Sequence, residues 1–337
     1  MLKLSVLDQS PIREGGTAAQ AMRETIALAR AVDELGYHRF WLAEHHNTTG
    51  LASSAPEVLI PQVAAQTSRL RVGSGGVMLT HYSAYKVAEV FRTLEALYPG
   101  RIDLGLGRAP GSGHRPALAL ARGGTRMSLE HYPQQIFDLL GYLSDDLPDD
   151  HPFHDIRATP VAETMPAVWL LGSSAESAML AGEMGLAYSH AHFINAATTA
   201  QSVDLYRRCF RPSPWLDEPQ LSLGVSALCA PTEEEAIHLS WSRYCWRFRH
   251  GSVPSVETAL AFEYSPAERE YVEFSRARAA IGGPEQVREK LTALAAEFGA
   301  DELVLLTITY DFEHRVRSYR LIADAFALDC APLTPAV

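Results

Sequence analysis

Eight times along 337 residues a short β-rich apolar run gives way to a stretch of helical periodicity, and no long run of one type intervenes. The strands read as Lys3 to Leu7, Phe40 to Ala43, Leu70 to Leu79, Arg101 to Gly107, Val168 to Leu171, Ala187 to Ala191, Leu221 to Cys229 and Leu303 to Ile308. Helical stretches fall at Ala18 to Leu35, Pro56 to Thr67, Ala84 to Leu97, Ser128 to Leu143, Ala175 to Met184, Thr198 to Cys209, Pro284 to Phe298 and Phe312 to Phe326. A further helix is capped by Thr232 and opens on Glu233-Glu234-Glu235, which suits the positive end of a helix dipole. Strands that alternate with helices pair in parallel, because each return to the same sheet edge needs a crossover. Eight such units predict a closed (β/α)8 TIM barrel, an α/β fold, over an open doubly wound sheet.

Two segments exceed the repeating unit, Asp145 to Pro166 and Gly251 to Gly283. Neither is long enough to be a domain, so both read as insertions or lids on one barrel spanning residues 1–330, with 331–337 as a tail. Hydrophobic residues make up 47% of the chain and charged residues 20%, enough to bury a substantial core. The net charge of −11 opposes general nucleic-acid or anionic-membrane binding, which needs a basic footprint. No apolar run is long enough for a membrane span, and the N-terminus lacks signal-peptide regions, so a cytoplasmic protein is expected. Cys209, Cys229, Cys245 and Cys330 lie far apart without a Cys-x-x-Cys, and read as reduced structural thiols.

Barrel enzymes carry their sites at the C-terminal ends of the strands. Five unusual segments fall there: Asp8-Gln9-Ser10-Pro11, Glu44-His45-His46-Asn47, Gly73-Ser74-Gly75-Gly76 with Met78, Gly105-Leu106-Gly107-Arg108-Ala109-Pro110-Gly111, and Leu171-Gly172-Ser173-Ser174. In the last, a glycine ends a strand and serines precede a helix, which makes either a phosphate seat or an ordinary N-cap. Arg108, just past the adjacent strand, is suited to grip an anion or to form a surface ion pair. Gly75-Gly76 within a strand indicates a bulge, or the close approach of a flat ligand to the backbone. The Gly105-x-Gly107 run is a poor dinucleotide fingerprint, because Pro110 intervenes and no helix opens directly after it. His45 and His46 face opposite ways on extended chain, so a shared metal is disfavoured and no metal site is expected. A proton-handling histidine in the mouth fits better, since imidazole titrates near neutral pH.

Taken in order, these segments resemble the bacterial luciferase-like flavin monooxygenases, in particular a non-luminescent bacterial branch. The likeness rests on Leu7-Asp8-Gln9-Ser10-Pro11, Trp41-Leu42-Ala43-Glu44-His45-His46-Asn47, Arg71 to Leu79, Pro99 to Arg108, and Leu171-Gly172-Ser173-Ser174 continuing to Gly185-Leu186. It is close over residues 1 to about 195 and follows mainly the layout beyond. The resemblance implies a barrel that binds FMN, used as reduced flavin from a separate reductase. With dioxygen this gives a flavin peroxide that oxygenates a small organic substrate. Carried over by position, Arg108, Ser173, Ser174 and Ser177 would hold the FMN phosphate, and Gly172 would belong to the same cofactor-binding set. Gly75 and Gly76 match a non-prolyl cis peptide beneath the isoalloxazine, and His45 matches the catalytic histidine. The resemblance also implies a homodimer. One departure is Thr80-His81-Tyr82, where many relatives begin with proline. Other readings are a deazaflavin-dependent hydride-transfer enzyme of the same fold, a non-catalytic FMN-binding protein, and a sugar- or phosphate-handling barrel unrelated to flavin.

Overall fold

A computed structural model describes residues 2–108, 113–120 and 129–329. Ala109-Pro110-Gly111, the helix start expected at Ser128, Cys330 and the tail 331–337 lie outside the described residues. The strands are β1 (Lys3–Asp8), β2 (Arg39–Leu42), β3 (Arg71–Met78), β4 (Ile102–Gly107), β5 (Ala167–Gly172), β6 (Ala187–His190), β7 (Leu221–Cys229), β8 (Ala280–Gly282) and β9 (Glu302–Leu306). All pairings among them are parallel. The order β6-β5-β4-β3-β2-β1-β9-β7, closed by a β6–β7 pairing, makes an eight-stranded barrel. This is the (β/α)8 barrel that the alternation predicts. The three-residue β8 is extra, adding to the C-terminal end of β7 through Ala227–Ala280, Leu228–Ile281 and Cys229–Gly282.

Helices α1 (Ala18–Glu34), α2 (Pro56–Ala64), α3 (Ala84–Leu97), α4 (His114–Leu120), α5 (Tyr132–Ser144), α6 (Ala175–Glu183), α7 (Thr199–Cys209), α8 (Glu233–Arg249), α9 (Val256–Ala261), α10 (Pro266–Arg278), α11 (Pro284–Phe298) and α12 (Phe312–Phe326) accompany the strands. Their starts are written locally. Thr17, Ser83 and Thr232 each accept from the backbone N–H three residues on, and Ser265 with Glu268 forms a full capping box. α4, α9 and α10 have no counterpart among the sequence expectations.

The two long segments part ways. Asp145 to Pro166 runs from the end of α5 to the start of β5, so barrel topology puts it at the N-terminal end of the strands, opposite the mouth. Tyr85 and Arg92 of α3 donate to the carbonyls of Arg157 and Ala158, and Arg92 also pairs with Asp145 at 2.8 Å. This segment is therefore not a cover for the mouth. Gly251 to Gly283 carries α9, α10 and β8, and it does reach the mouth.

Inside the barrel, inward positions carry a charged plug, then an aromatic layer, then small residues. Arg39 lies between Asp103 and Glu302, at 2.6 Å from each. Asp103 also accepts from Arg71 Nε at 2.8 Å and from Trp41 Nε1 at 3.0 Å, while Ser5 donates to Glu302. Burial opposes the charge on Arg39, but the two carboxylates more than offset this and raise its pKa. Next to it, Trp41 and Trp169 meet edge-on at 5.4 Å, with the Arg39 guanidinium 4.8 Å from the Trp169 ring.

The glycines of β3 and β4 answer to the neighbouring strand. A Cβ on Gly73 would lie 2.1 Å from the Asp103 carbonyl oxygen, and one on Gly76 would lie 2.6 Å from that of Gly105. The register shifts between Gly75 and Val77, so the bulge reading holds there.

Removing Arg39 would leave the buried Glu302 with no cation among the described residues and the buried Asp103 with Arg71 alone. Arg39→Met should lower stability by about 3–5 kcal/mol, read from urea unfolding midpoints at constant slope. A loss under about 1 kcal/mol would show that the plug is not what closes the barrel end.

Candidate active site

A cavity of about 310 Å³ opens at the C-terminal ends of the strands. His45, Gly75, Gly76, Arg108, Gly172, Ser173, Ser174 and Ser177 all line it, so every site position expected from the sequence converges on one space. Leu7, Trp41, Ala43, Met78, Leu171 and Val304 supply apolar wall. The peptide between Gly75 and Gly76 is cis.

At one side of the cavity stands the start of α6. Ser174 occupies its N-cap position with extended backbone, yet its hydroxyl makes no capping bond. The ordinary N-cap reading therefore fails in its specific form: the Ser174 hydroxyl bonds the Glu176 carboxylate, which also accepts from the Glu176 N–H. Ser177 donates to the Ser174 carbonyl at 2.8 Å. Gly172 permits that approach, since a Cβ there would lie 2.0 Å from Ser177 Oγ. Arg108, half-buried at the end of β4, makes no hydrogen bond or ion pair among the described residues, so the surface ion-pair reading is not met. A guanidinium with no hydrogen bond among the described residues and a helix start, both on one cavity, suit an anion, with the Glu176 carboxylate of the first turn near both.

Behind Ser177 runs a buried relay. Its hydroxyl lies 3.5 Å from Tyr188 Oη, which lies 3.0 Å from His190 Nδ1, and His190 Nε2 reaches the Asn195 carbonyl at 3.3 Å. The carbonyl only accepts, so Nε2 carries the hydrogen and Nδ1 accepts from the phenol. Burial pushes the His190 pKa down to about 4 and the Tyr188 phenol up to about 12. Sequence inspection sees only a His190-x-His192 pair here, and the relay appears once β6 and α6 are side by side.

At the other side, β2 delivers Glu44, His45 and His46. Glu44 is almost fully buried and organises the turn: it accepts from Met78 N at 3.0 Å, from Tyr82 Oη at 2.8 Å and from His46 Nε2 at 2.7 Å. Tyr82 comes from the segment that departs from the family pattern. Burial, and then the Glu44 carboxylate, raise its pKa, so it stays a donor. His46 is thus drawn away from the cavity while His45 faces it, held by its backbone N–H to the Ser53 carbonyl at 2.9 Å. His45 Nδ1 is buried without a partner. Burial, with a smaller contribution from His46, lowers its pKa, so the ring is neutral at pH 7. Among the described residues no three His, Cys, Asp or Glu side chains converge on a metal position.

A second cavity of about 650 Å³ adjoins the first, and Gln9, Phe193 and Ile194 line both. Helix α8 and helix α10 of the expected Gly251 to Gly283 lid contribute to its other walls, and α8 is the part that the sequence reading did not connect with the site.

A family model described as luciferase-like monooxygenase matches residues 2–302. The chain belongs to this family. Membership makes it an oxygenating enzyme, on the barrel found here. The uncharacterized protein YwcH of Bacillus subtilis is 49% identical over 334 residues, spanning 97% of this chain and 100% of that protein. N-acetyl-S-alkylcysteine monooxygenase of the same organism is 38% identical over 331 residues, covering 96% of this chain and 98% of its own. Among solved structures, apo-MsnO8 matches with a TM-score of 0.90 and 40% identity, over 98% of this chain and 99% of that one. Among the described residues of this luciferase-like monooxygenase, no helix is long and apolar enough to cross a membrane.

The depressed pKa of His190 has a sign that is testable. As pH falls below the ordinary 6.5, the unfolded chain takes up a proton that the folded chain refuses until about 4. Stability is therefore complete above pH 6.5 and falls toward pH 4, by roughly 3 kcal/mol from this group. His190→Asn should show a flatter stability profile across that window in urea unfolding. Equal slopes for both proteins would contradict the assignment.

Proposed function

We propose that this enzyme is a flavin-dependent monooxygenase that uses reduced FMN and dioxygen to oxidise a small organic substrate. The observation that carries the reading is the pairing, across one cavity, of an anion seat with a histidine whose Nδ1 is buried and unpartnered. The residues fit FMN: a phosphate suits Arg108 and the α6 start, and a flat apolar ring suits the walls between Trp41, Gly75-Gly76 and Leu171. Bound there, reduced FMN supplies the electrons and the oxygen-activating chemistry, which an oxygenating family requires and a deazaflavin does not provide. In this reading a separate flavin reductase delivers it.

The chain's own residues bind, orient and exclude. Arg108, Gly172, Ser173, Ser174 and Ser177 hold the phosphate through charge-assisted bonds, backbone N–H groups and hydroxyls. Tyr188 and His190 act through Ser177 as positioning residues. Gly75 and Gly76 keep the β3 wall flat. Glu44 fixes the turn that points His45 inward, and the imidazole of His45, which lines the cavity, exchanges a proton with the reacting groups. The apolar walls limit water, which would otherwise divert reduced flavin and oxygen to hydrogen peroxide.

Two experiments test these roles. Hydrogen bonds to charged groups are worth about 1.5–3 kcal/mol, so Arg108→Ala should weaken FMN binding about ten- to hundredfold. Riboflavin binding, which lacks the phosphate, should be nearly unchanged, and equal losses in fluorescence titrations would refute the anion seat. His45→Ala should cut coupled turnover by about 10²- to 10⁴-fold while changing flavin affinity by less than about tenfold. Oxygen consumption should persist with hydrogen peroxide as the product. A fully coupled variant at the wild-type rate would remove His45 from the chemistry.

A further inference from the structure

The 650 Å³ cavity beside the flavin seat carries an unusual set of charges. Arg243, Arg247 and Arg278 line it together with His192 and His250, and among the described residues no aspartate or glutamate does. This occurs in a chain whose net charge is −11. Arg243 and Arg247 are one turn apart on α8, and Arg278 ends α10. None of the three makes a hydrogen bond or ion pair among the described residues. Arg247 lies 5.0 Å from the Tyr271 ring centroid and Arg278 lies 3.4 Å from that of Phe274, so both have aromatic support but no counter-ion.

Four arginines elsewhere in this chain behave differently. Arg39, Arg92, Arg315 and Arg317 each hold a carboxylate. Burial pushes the Arg243 guanidinium below its ordinary pKa, Tyr244 and Tyr271 oppose this, and Arg247 adds to it. Like charges gathered without a counter-ion cost stability, and an incoming anion removes that cost. Apolar wall accompanies the charge: Leu306, Ile308 and Trp246 continue toward Phe193 and Ile194, which also line the flavin cavity.

We propose that this cavity is the substrate's seat and that the substrate is an organic acid: an oxyanion held by Arg243, Arg247 and Arg278, with an apolar body reaching toward the shared wall. This rests on the flavin reading for its use in catalysis, but the anion seat itself is measurable without flavin.

The test titrates flavin-free protein, by calorimetry and by tryptophan fluorescence with Trp246 in the wall, against phenylacetate, hexanoate and hexanesulfonate. Each is compared with its neutral amide. At least one acid should bind about tenfold or more tightly than its amide, and Arg243→Gln and Arg278→Gln should each weaken that acid about tenfold. Arg243→Lys should recover part of the loss, and FMN affinity should change by less than about threefold in all three variants. Equal binding of acid and amide in every pair overturns the proposal. So does unchanged acid affinity in both glutamine variants, or acid binding that is lost in Arg108→Ala instead, which would place the anion in the phosphate seat. The two readings fail separately: acid binding that depends on Arg243 without any FMN binding retains the seat and removes the flavin role, and FMN binding without acid preference does the reverse.

Discussion

Arg39 is the residue on which this barrel closes. Its guanidinium joins β2 to β4 through Asp103 and to β9 through Glu302, while Arg71 of β3 and Ser5 of β1 complete the set. Five of the eight strands thus meet at one buried charge cluster. Two carboxylates in a barrel interior would repel each other and lose hydration, and one cation between them converts that liability into a cross-link. The indoles of Trp41 and Trp169 lie against the same guanidinium and shield it from the mouth. Charge at one end and aromatic bulk above it leave the remaining interior to be filled by whatever the upper inward positions carry.

Those positions carry little. Gly75, Gly107, Ser189, Ala191 and Gly224 line the space above the tryptophans, and the cavity is the volume that larger side chains would have occupied. A site made by omission explains why no single motif announces it. The glycines are fixed by strand contact, as at Gly73 and Gly76, and this strand spacing also forms the flat wall. Fold and site are set by the same residues here, which limits how either can vary.

The strand order was legible because period-2 apolar runs and helix caps are local signals. Convergence on the mouth followed from topology alone: a residue just past a parallel strand's C-terminus can only be at that end. Three things were not legible. The β8 strand is too short to show a period, and pairs only because β7 runs on beyond the barrel. Asp145 to Pro166 was read as a cover, but its position after a helix and before a strand assigns it to the far end, an inference the element order already allowed. The cationic cavity was missed because its arginines are spread over more than thirty positions, on α8 and on α10 of the insertion that follows it. The one local hint was Arg243 and Arg247 on one face of α8 with no acidic residue at helical spacing after them.

Charge placement ties the two cavities together. Each buried carboxylate near the barrel axis is neutralised within the protein: Asp103 and Glu302 by Arg39, Asp8 by Arg315 and the Ser10 N–H, Glu44 by Met78 N–H, Tyr82 and His46. The arginines that face the open spaces, Arg108 in one and Arg243, Arg247 and Arg278 in the other, make no ion pair among the described residues. An acidic protein thereby carries unpaired positive charge in its mouth, where the half-buried Arg108 and Arg243 act on an anion through less solvent than the exposed Arg247 and Arg278. A phosphate-bearing cofactor and an acidic substrate would each neutralise one group of cations. Filling one seat lowers the positive field at the other, so the two ligands should oppose one another electrostatically even without contact. Gln9, Phe193 and Ile194, which line both cavities, are the residues through which the two seats meet.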